Sequence, residues 1–317
     1  MKLFFPLLLL PVLFMGMLHA QVSNTQIAPF LKGDQVDEIR LLDQKNLVFK
    51  NIDGLKFSEI SDITYEQKSK KLYLVSDEGK LFVFDATFTD KIKTLNPVSA
   101  LTLVKKNGKS FKKWRHDSEG LTLDHKGRLY ASFEGRAKIG RFDREGRMVK
   151  QYTLPKKLRD PKNYRSRNKS LEALAWHPKY GLLTAAEWPL KHKKKKEQTI
   201  YALSGKRWHF QAEAEQKSAV VAMEVMDDGN LLVMERSFID LLNPVVVTLK
   251  KIYLDQCRNN QKMCKSKLLL KMNSHKGWLI DNFEGLARVD KHRYVMVSDD
   301  NDNFFQQTLL IYFEVKH

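Results

Sequence analysis

The chain has 317 residues, 43% of them hydrophobic, with 15 Gly and 9 Pro, a make-up that excludes a collagen, a coiled coil and a disordered tail. Lys and Arg number 55 against 37 Asp and Glu, a formal net charge of +18, and the 2 Cys are too few for a cysteine-rich zinc module or an iron–sulfur cluster.

In chain order, the first feature is a basic start at Met1-Lys2. An apolar stretch from Leu3 to Leu18 follows, broken by Pro6, Pro11 and Gly16, and Leu18-His19-Ala20 then offers a small residue before Gln21. This order predicts a secretory signal peptide over 1–20, cleaved after Ala20, and one domain over 21–317. The alternative is an uncleaved anchor, but the stretch falls short of the ~20 residues a spanning helix needs. Export places the mature protein in the periplasm or outside the cell and permits a disulfide. Cys257 and Cys264 flank a polar, turn-like segment between two apolar runs, 245–254 and 268–272. A bridge across that hairpin is expected, structural rather than redox-active because no C-x-x-C spacing occurs.

Five stretches repeat one pattern: 61–77, 119–134, 172–187, 221–235 and 284–299. Each is a short apolar strand, a polar turn, and a second apolar strand that ends in an acid. The turns include His125-Lys126-Gly127-Arg128, His177-Pro178-Lys179-Tyr180-Gly181 and Asp227-Asp228-Gly229-Asn230. Strand-like alternation is the dominant periodicity. The acidic ends Asp77, Glu134, Glu187, Glu235 and Asp299 recur at intervals slightly above the ~40–50 residues of a four-stranded propeller blade. The fold class is therefore all-β, a β-propeller with five blades by repeat count. Six is the alternative if the long interval before Asp299 and the wrap-around hide one. A terminal strand over 308–315 and another over 36–42 would close the ring by sharing a blade, which removes exposed sheet edges.

Hairpin symmetry places Glu119 opposite Glu134, Glu172 opposite Glu187, and Glu284 opposite Asp299, with Glu235 opposite Ala222. Ring closure would gather these acids at one end of the channel. Their repulsion then needs a neutraliser: a hard cation such as Ca²⁺, interleaved arginines among Arg115, Arg136, Arg236 and Arg288, or protons held by raised pKa values. The run Asp299-Asp300-Asn301-Asp302-Asn303 fails as an EF-hand, with Phe304 and Leu310 where Gly and Glu are required.

The segments Asp117-Ser118-Glu119-Gly120-Leu121, Leu171-Glu172-Ala173-Leu174, Glu235-Arg236-Ser237-Phe238, Asn282-Phe283-Glu284-Gly285-Leu286 and Ser298-Asp299-Asp300-Asn301 resemble the exported "esterase-like activity of phytase" family. The likeness runs from about Lys56 to Val315. It implies a β-propeller and a phosphoester-cleaving role for the recurrent acids. On that reading Glu134, Glu187, Glu235 and Asp299 hold Ca²⁺, and Glu119, Glu172 or Glu284 serves as general base. Arg115 or Arg236 grips phosphate, with His116 beside Arg115 as a further substrate-binding candidate.

The sequence contains no G-x-S-x-G elbow, H-E-x-x-H or phosphate-cradling Gly-rich loop. The basic excess, densest over 191–196, favours a small anionic, phosphorylated substrate or an envelope component. Nucleic acid is not an expected partner, since no recognition motif occurs. The rival reading is a non-catalytic periplasmic propeller that binds a ligand or a protein, its acids locking blade to blade.

Overall fold

The computed structural model describes residues 21–29, 33–112, 115–166, 168–240, 242–258 and 263–316. The signal peptide expected over 1–20 lies outside the described residues. No helix among the described residues is long and apolar enough to cross a membrane.

An N-terminal segment supplies β1 (Val22–Asn24), β2 (Gln35–Val36), β3 (Ile39–Leu47) and a small hairpin, β4 (Asn51–Ile52) with β5 (Leu55–Lys56). Four-stranded antiparallel units follow. The first is β6 (Ile60–Glu66), β7 (Lys71–Ser76), β8 (Lys80–Phe88) and β9 (Ile92–Thr102). The second is β10 (Ser118–Leu123), β11 (Leu129–Phe133), β12 (Lys138–Phe142) and β13 (Met148–Tyr152). After a one-turn helix, Lys156–Arg159, comes β14 (Leu171–His177), β15 (Gly181–Ala186), β16 (Glu197–Ala202) and β17 (Arg207–Gln211). The fourth is β18 (Ala219–Val225), β19 (Leu231–Ser237), β20 (Val246–Arg258) and β21 (Met263–Asn273). Its outer strand meets that of the third unit at one parallel pairing, His209 with Met263, which merges the two into an eight-stranded sheet. The fifth begins with β22 (Asn282–Arg288), β23 (Arg293–Asp299) and β24 (Leu309–Val315).

Ring closure follows the expected route. β24 pairs antiparallel with β3, from Val315 opposite Ile39 to Leu309 opposite Asn46, so strands from both ends of the chain complete one blade. The first strand of each unit packs on the first strand of the next, and β22 packs on β6 to shut the circle. The described residues form five blades rather than six. The long interval before Asp299 is taken up by β20 and β21, whose 13 and 11 residues reach past the neighbouring strands. Cys257 and Cys264 face each other near the tip of that hairpin and form the expected disulfide, with S–S 2.08 Å.

Alternation buries one side of each blade against the next, and each of the five interfaces has its own apolar cluster. Between blades five and one, Val297, Leu310 and Tyr312 pack on Ile63, Leu74 and Phe82. Phe49, Phe57 and Phe84 extend this cluster through edge-on ring contacts of 5.4 to 6.0 Å. Fully burying a side chain of this size contributes roughly 1.5–3 kcal/mol. The clusters therefore hold the innermost strands, and whatever those strands carry at their ends, in fixed mutual positions.

Candidate functional site

The open end of every inner hairpin departs from simple symmetry in the same way. In blade two Ser118 faces Phe133 and Leu121 faces Ala131, so two residues oppose one between them. Blades one, three, four and five carry the same irregularity. A β-bulge of this kind adds a residue to one strand and re-aims its side chain. The extra residue is Ser61, Glu119, Glu172, Val221 and Glu284 in the successive blades.

This corrects the expected pairings. Asp299 faces Asn282 rather than Glu284, and Glu235 faces Val220 rather than Ala222. Glu134 and Glu187 close their hairpins by donating backbone N–H to the carbonyls of Asp117 and Ser170, at 2.9 and 3.0 Å. The place held by Asp77, Glu134, Glu187 and Asp299 is held in blade four by Arg236. Glu235 lies one residue earlier and so points to the opposite face of its strand. There it is buried, 2.7 Å from Lys250 Nζ, with Glu213 2.8 Å from the same ammonium.

The glycine after Glu119 and Glu284 lets neighbouring backbones come close. A Cβ on Gly120 would lie 2.5 Å from the Glu172 carbonyl oxygen, and one on Gly285 would lie 2.9 Å from Asp62 Cα. Asp62 knits three blades together at this level. Its Oδ2 accepts from Leu121 N at 2.6 Å, and its Oδ1 from Ile63 N and Leu286 N at 2.8 and 3.1 Å.

Above this layer the acids converge on one end of the ring. Asp117, Glu119 and Glu134 can each bring a carboxylate oxygen within 4.8 Å of the others, and so can Glu134, Glu172 and Glu187. Glu134 belongs to both groups. Burial pushes the Glu119 and Glu172 carboxyls well above the usual range, and the like charges around each, chiefly Glu172 on Glu119 and Glu187 on Glu172, add to it. Burial and Glu187 raise Glu134 to about 8. Burial also raises Asp77 and Asp299 to about 8, helped respectively by Glu59 and by Glu284. Burial raises the Asp117 carboxyl as well, against the opposing pull of Glu119, His116 and Lys138.

Cations neutralise one side of the ring more than the other. Arg236 is 2.6 Å from Glu284 and 4.0 Å from Glu187, and Lys169 is 2.6 Å from Glu187. Asn282 donates to Glu284 at 2.9 Å and to Asp299 at 3.2 Å. Of the converging acids only Glu187 and Glu284 have an ion-pair partner among the described residues; Asp77, Asp117, Glu119, Glu134, Glu172 and Asp299 have none there. An all-oxygen donor set that is buried and partly protonated suits a hard cation such as Ca²⁺, which takes carboxylate oxygens and displaces their protons.

Of the residues singled out from the sequence, Glu119, Glu134, Glu172 and Glu187 come together in the two groups, with Glu284, Asp299 and Arg236 adjoining them. Glu235 stands apart with Lys250. His116 Nδ1 is 3.2 Å from the Asp77 carbonyl oxygen, at the rim. Arg115 accepts a hydrogen bond on its carbonyl from Lys138 Nζ at 2.6 Å and lines the cavity beside Glu134. Asp117, Lys169 and Asp62 were missed as site or ring residues. The signal for the first two was position, each lying two or three residues ahead of a bulge glutamate.

The family model for "Phytase-like: Esterase-like activity of phytase" matches residues 55–302. Among solved structures, the chain is similar to the β-propeller domain of Cps50 (Swd1) from Myceliophteria thermophila. Identity is 10%, with a TM-score of 0.39 and coverage of 83% of this chain and 98% of that one. It is also similar to virginiamycin B lyase from Staphylococcus aureus, at 11% identity and a TM-score of 0.39, over 92% of this chain and 98% of that one. No curated protein matches.

Proposed function

The chain belongs to the phytase-like, esterase-like-activity-of-phytase family, and on that footing we propose that it is an exported hydrolase of phosphoesters acting on a small anionic substrate at the acidic end of the ring. One observation carries the reading: five carboxylates from blades two and three lie in two overlapping groups around Glu134, beside a cavity lined by Arg115 and Arg136.

Asp117, Glu134, Glu172 and Glu187 would hold Ca²⁺. The ion, when bound, supplies positive charge against a phosphate oxygen and lowers the pKa of a coordinated water. The guanidinium groups of Arg115 and Arg136 grip the phosphate, each able to donate two parallel N–H bonds to it. Glu119 is half-buried at the bulge and serves as general base, a role that needs a pKa near the working pH. Arg236 holds Glu284 and, with Lys169, keeps the blade-four side of the cluster neutral, so that negative charge is concentrated toward blade two.

The test is turnover of a phosphoester panel with and without a chelator. Chelation should abolish hydrolysis, and Glu119→Gln should lower kcat by about 10²–10⁴ with little change in KM. Hydrolysis indifferent to both would overturn the reading. A binding role without catalysis is favoured by one local observation. Glu134 Oε1 accepts from Ser170 N at 3.0 Å while Ser170 Oγ donates to the Glu134 carbonyl at 2.8 Å, a clasp between blades two and three. On that reading Glu119→Gln changes ligand affinity and no panel member is hydrolysed.

A further inference from the structure

The turn between β11 and β12, residues 134–137, separates two cavities of about 600 and 460 Å³. They share Arg115, Arg136 and Ala137 as lining residues, so they adjoin across Arg136. Each lies within the roughly 300–1,000 Å³ that holds a drug-sized ligand. The first is lined by Lys105, Lys106, Lys138 and Lys150 in addition to the two shared arginines, and by no described carboxylate. The second adds Lys162, Arg165 and Lys191, and Glu134 is its one acid.

Among the described residues Lys106, Arg136, Lys150, Lys162 and Lys191 have no ion-pair partner. The wall behind them is built rather than incidental. Lys138 is buried, donates to the Arg115 carbonyl at 2.6 Å, and sits 3.7 Å over the Phe133 ring and 4.7 Å from the Phe111 ring. Burial, together with Arg136, Arg115 and Lys105, presses its pKa down to about 7 against the opposing pull of Asp117. A row of like charges along one trough raises the local concentration of anions, and an anion that spans the row gains from all of it.

A single phosphate ester engages one or two of these groups and leaves the far cavity uncompensated. Guanidinium and ammonium groups in series match a chain of phosphates, where every unit repeats the charge. We propose that the two cavities together bind an extended polyphosphate-type anion, lying across Arg136 from Lys106 and Lys150 on one side to Lys162 and Lys191 on the other. The inference rests on the trough alone and does not require the carboxylate cluster to be catalytic.

Calorimetric titration of the purified protein with tripolyphosphate and with long-chain polyphosphate tests it, using two charge-reversal pairs, K106E/K150E and K162E/K191E. All four side chains are exposed, so melting temperatures should stay near that of the parent protein. Each pair should weaken long-chain binding about tenfold and flatten its salt dependence, as expected when phosphate contacts are lost. Tripolyphosphate, confined to one cavity, should respond to no more than one of the pairs. A control pair, K68E/K126E, lies on turns at the opposite end of the hairpins and should leave both affinities unchanged. The proposal is overturned if either trough pair leaves long-chain affinity within twofold, or if the control pair has an equal effect. Sensitivity of tripolyphosphate to both trough pairs would mean one compact site and also overturn it. Heparin binding as tightly as the long chain would remove the assignment to phosphate.

Discussion

Blade four and blade two occupy equivalent places in the ring and solve the same electrostatic problem differently. In blade four the strand-end position is Arg236 and the bulge position is Val221, and the acid left over, Glu235, is turned inward onto Lys250. In blade two both positions are glutamates, Glu134 and Glu119, and Asp117 adds a third carboxylate. The first arrangement uses fixed cations and is complete in itself. The second relies on protons, since burial raises its carboxyls far enough to keep some of them neutral near pH 7. A repeat scaffold can thus carry an ion-paired joint and a proton-held one at symmetric positions, the difference residing in single side chains.

The contrast can be broken most severely at its charged joint. Arg236→Ala leaves Glu284 mostly buried without its guanidinium, and losing one partner of such a pair costs about 3–5 kcal/mol. A chemical-denaturation curve should show that loss, and a change within about 0.5 kcal/mol would mean that the acids are not held by Arg236.

A smaller effect separates the protonated side. Because the folded-state pKa of Glu134 is raised to about 8, the native state holds more protons than the unfolded chain between roughly pH 4.5 and 8. Stability contributed by this group therefore falls as pH rises through that window. Glu134→Gln removes the titration and keeps an acceptor for Ser170, so its melting temperature should match the parent protein at pH 4 and exceed it progressively toward pH 8. Added Ca²⁺ should raise the parent's melting temperature more at pH 8 than at pH 6, because fewer protons must be displaced, and should do much less for Glu134→Gln. A calcium effect independent of both pH and Glu134 would detach the cation from this cluster.

The smallest change is expected inside blade four. Glu235→Gln weakens one of two carboxylate contacts to Lys250, and with Glu213 still 2.8 Å away the cost should be about 1 kcal/mol. A loss as large as that of Arg236→Ala would show that Glu213 does not share the ammonium.

Much of the architecture was legible in the residues. Alternating apolar strands around Gly-containing turns announced the inner hairpins. The apolar run over 308–315 needed a partner near the N-terminus and found it in β3, and the paired cysteines bracketed a turn. The bulge was not legible, because one extra residue on one strand leaves the hydrophobic alternation almost intact while shifting every partner beyond it. Glu235, an acid at the end of an apolar strand like the others, looked equivalent to Glu134 and Glu187, but it falls one residue short of their distance from the bulge position, and Arg236 is the true counterpart. Asp62 was invisible for a related reason. Its three N–H donors come from residues 63, 121 and 286, which only ring closure brings together.

Local pattern alone determined that this chain makes short antiparallel strands repeated five times, since side-chain alternation and turn chemistry act between near neighbours. Which acids are pushed toward the protonated form, which meet an arginine, and which cations line a common trough was decided by tertiary structure. Coulomb and desolvation energies depend on distances between residues far apart in the chain, and those distances exist only once the blades have closed on one another.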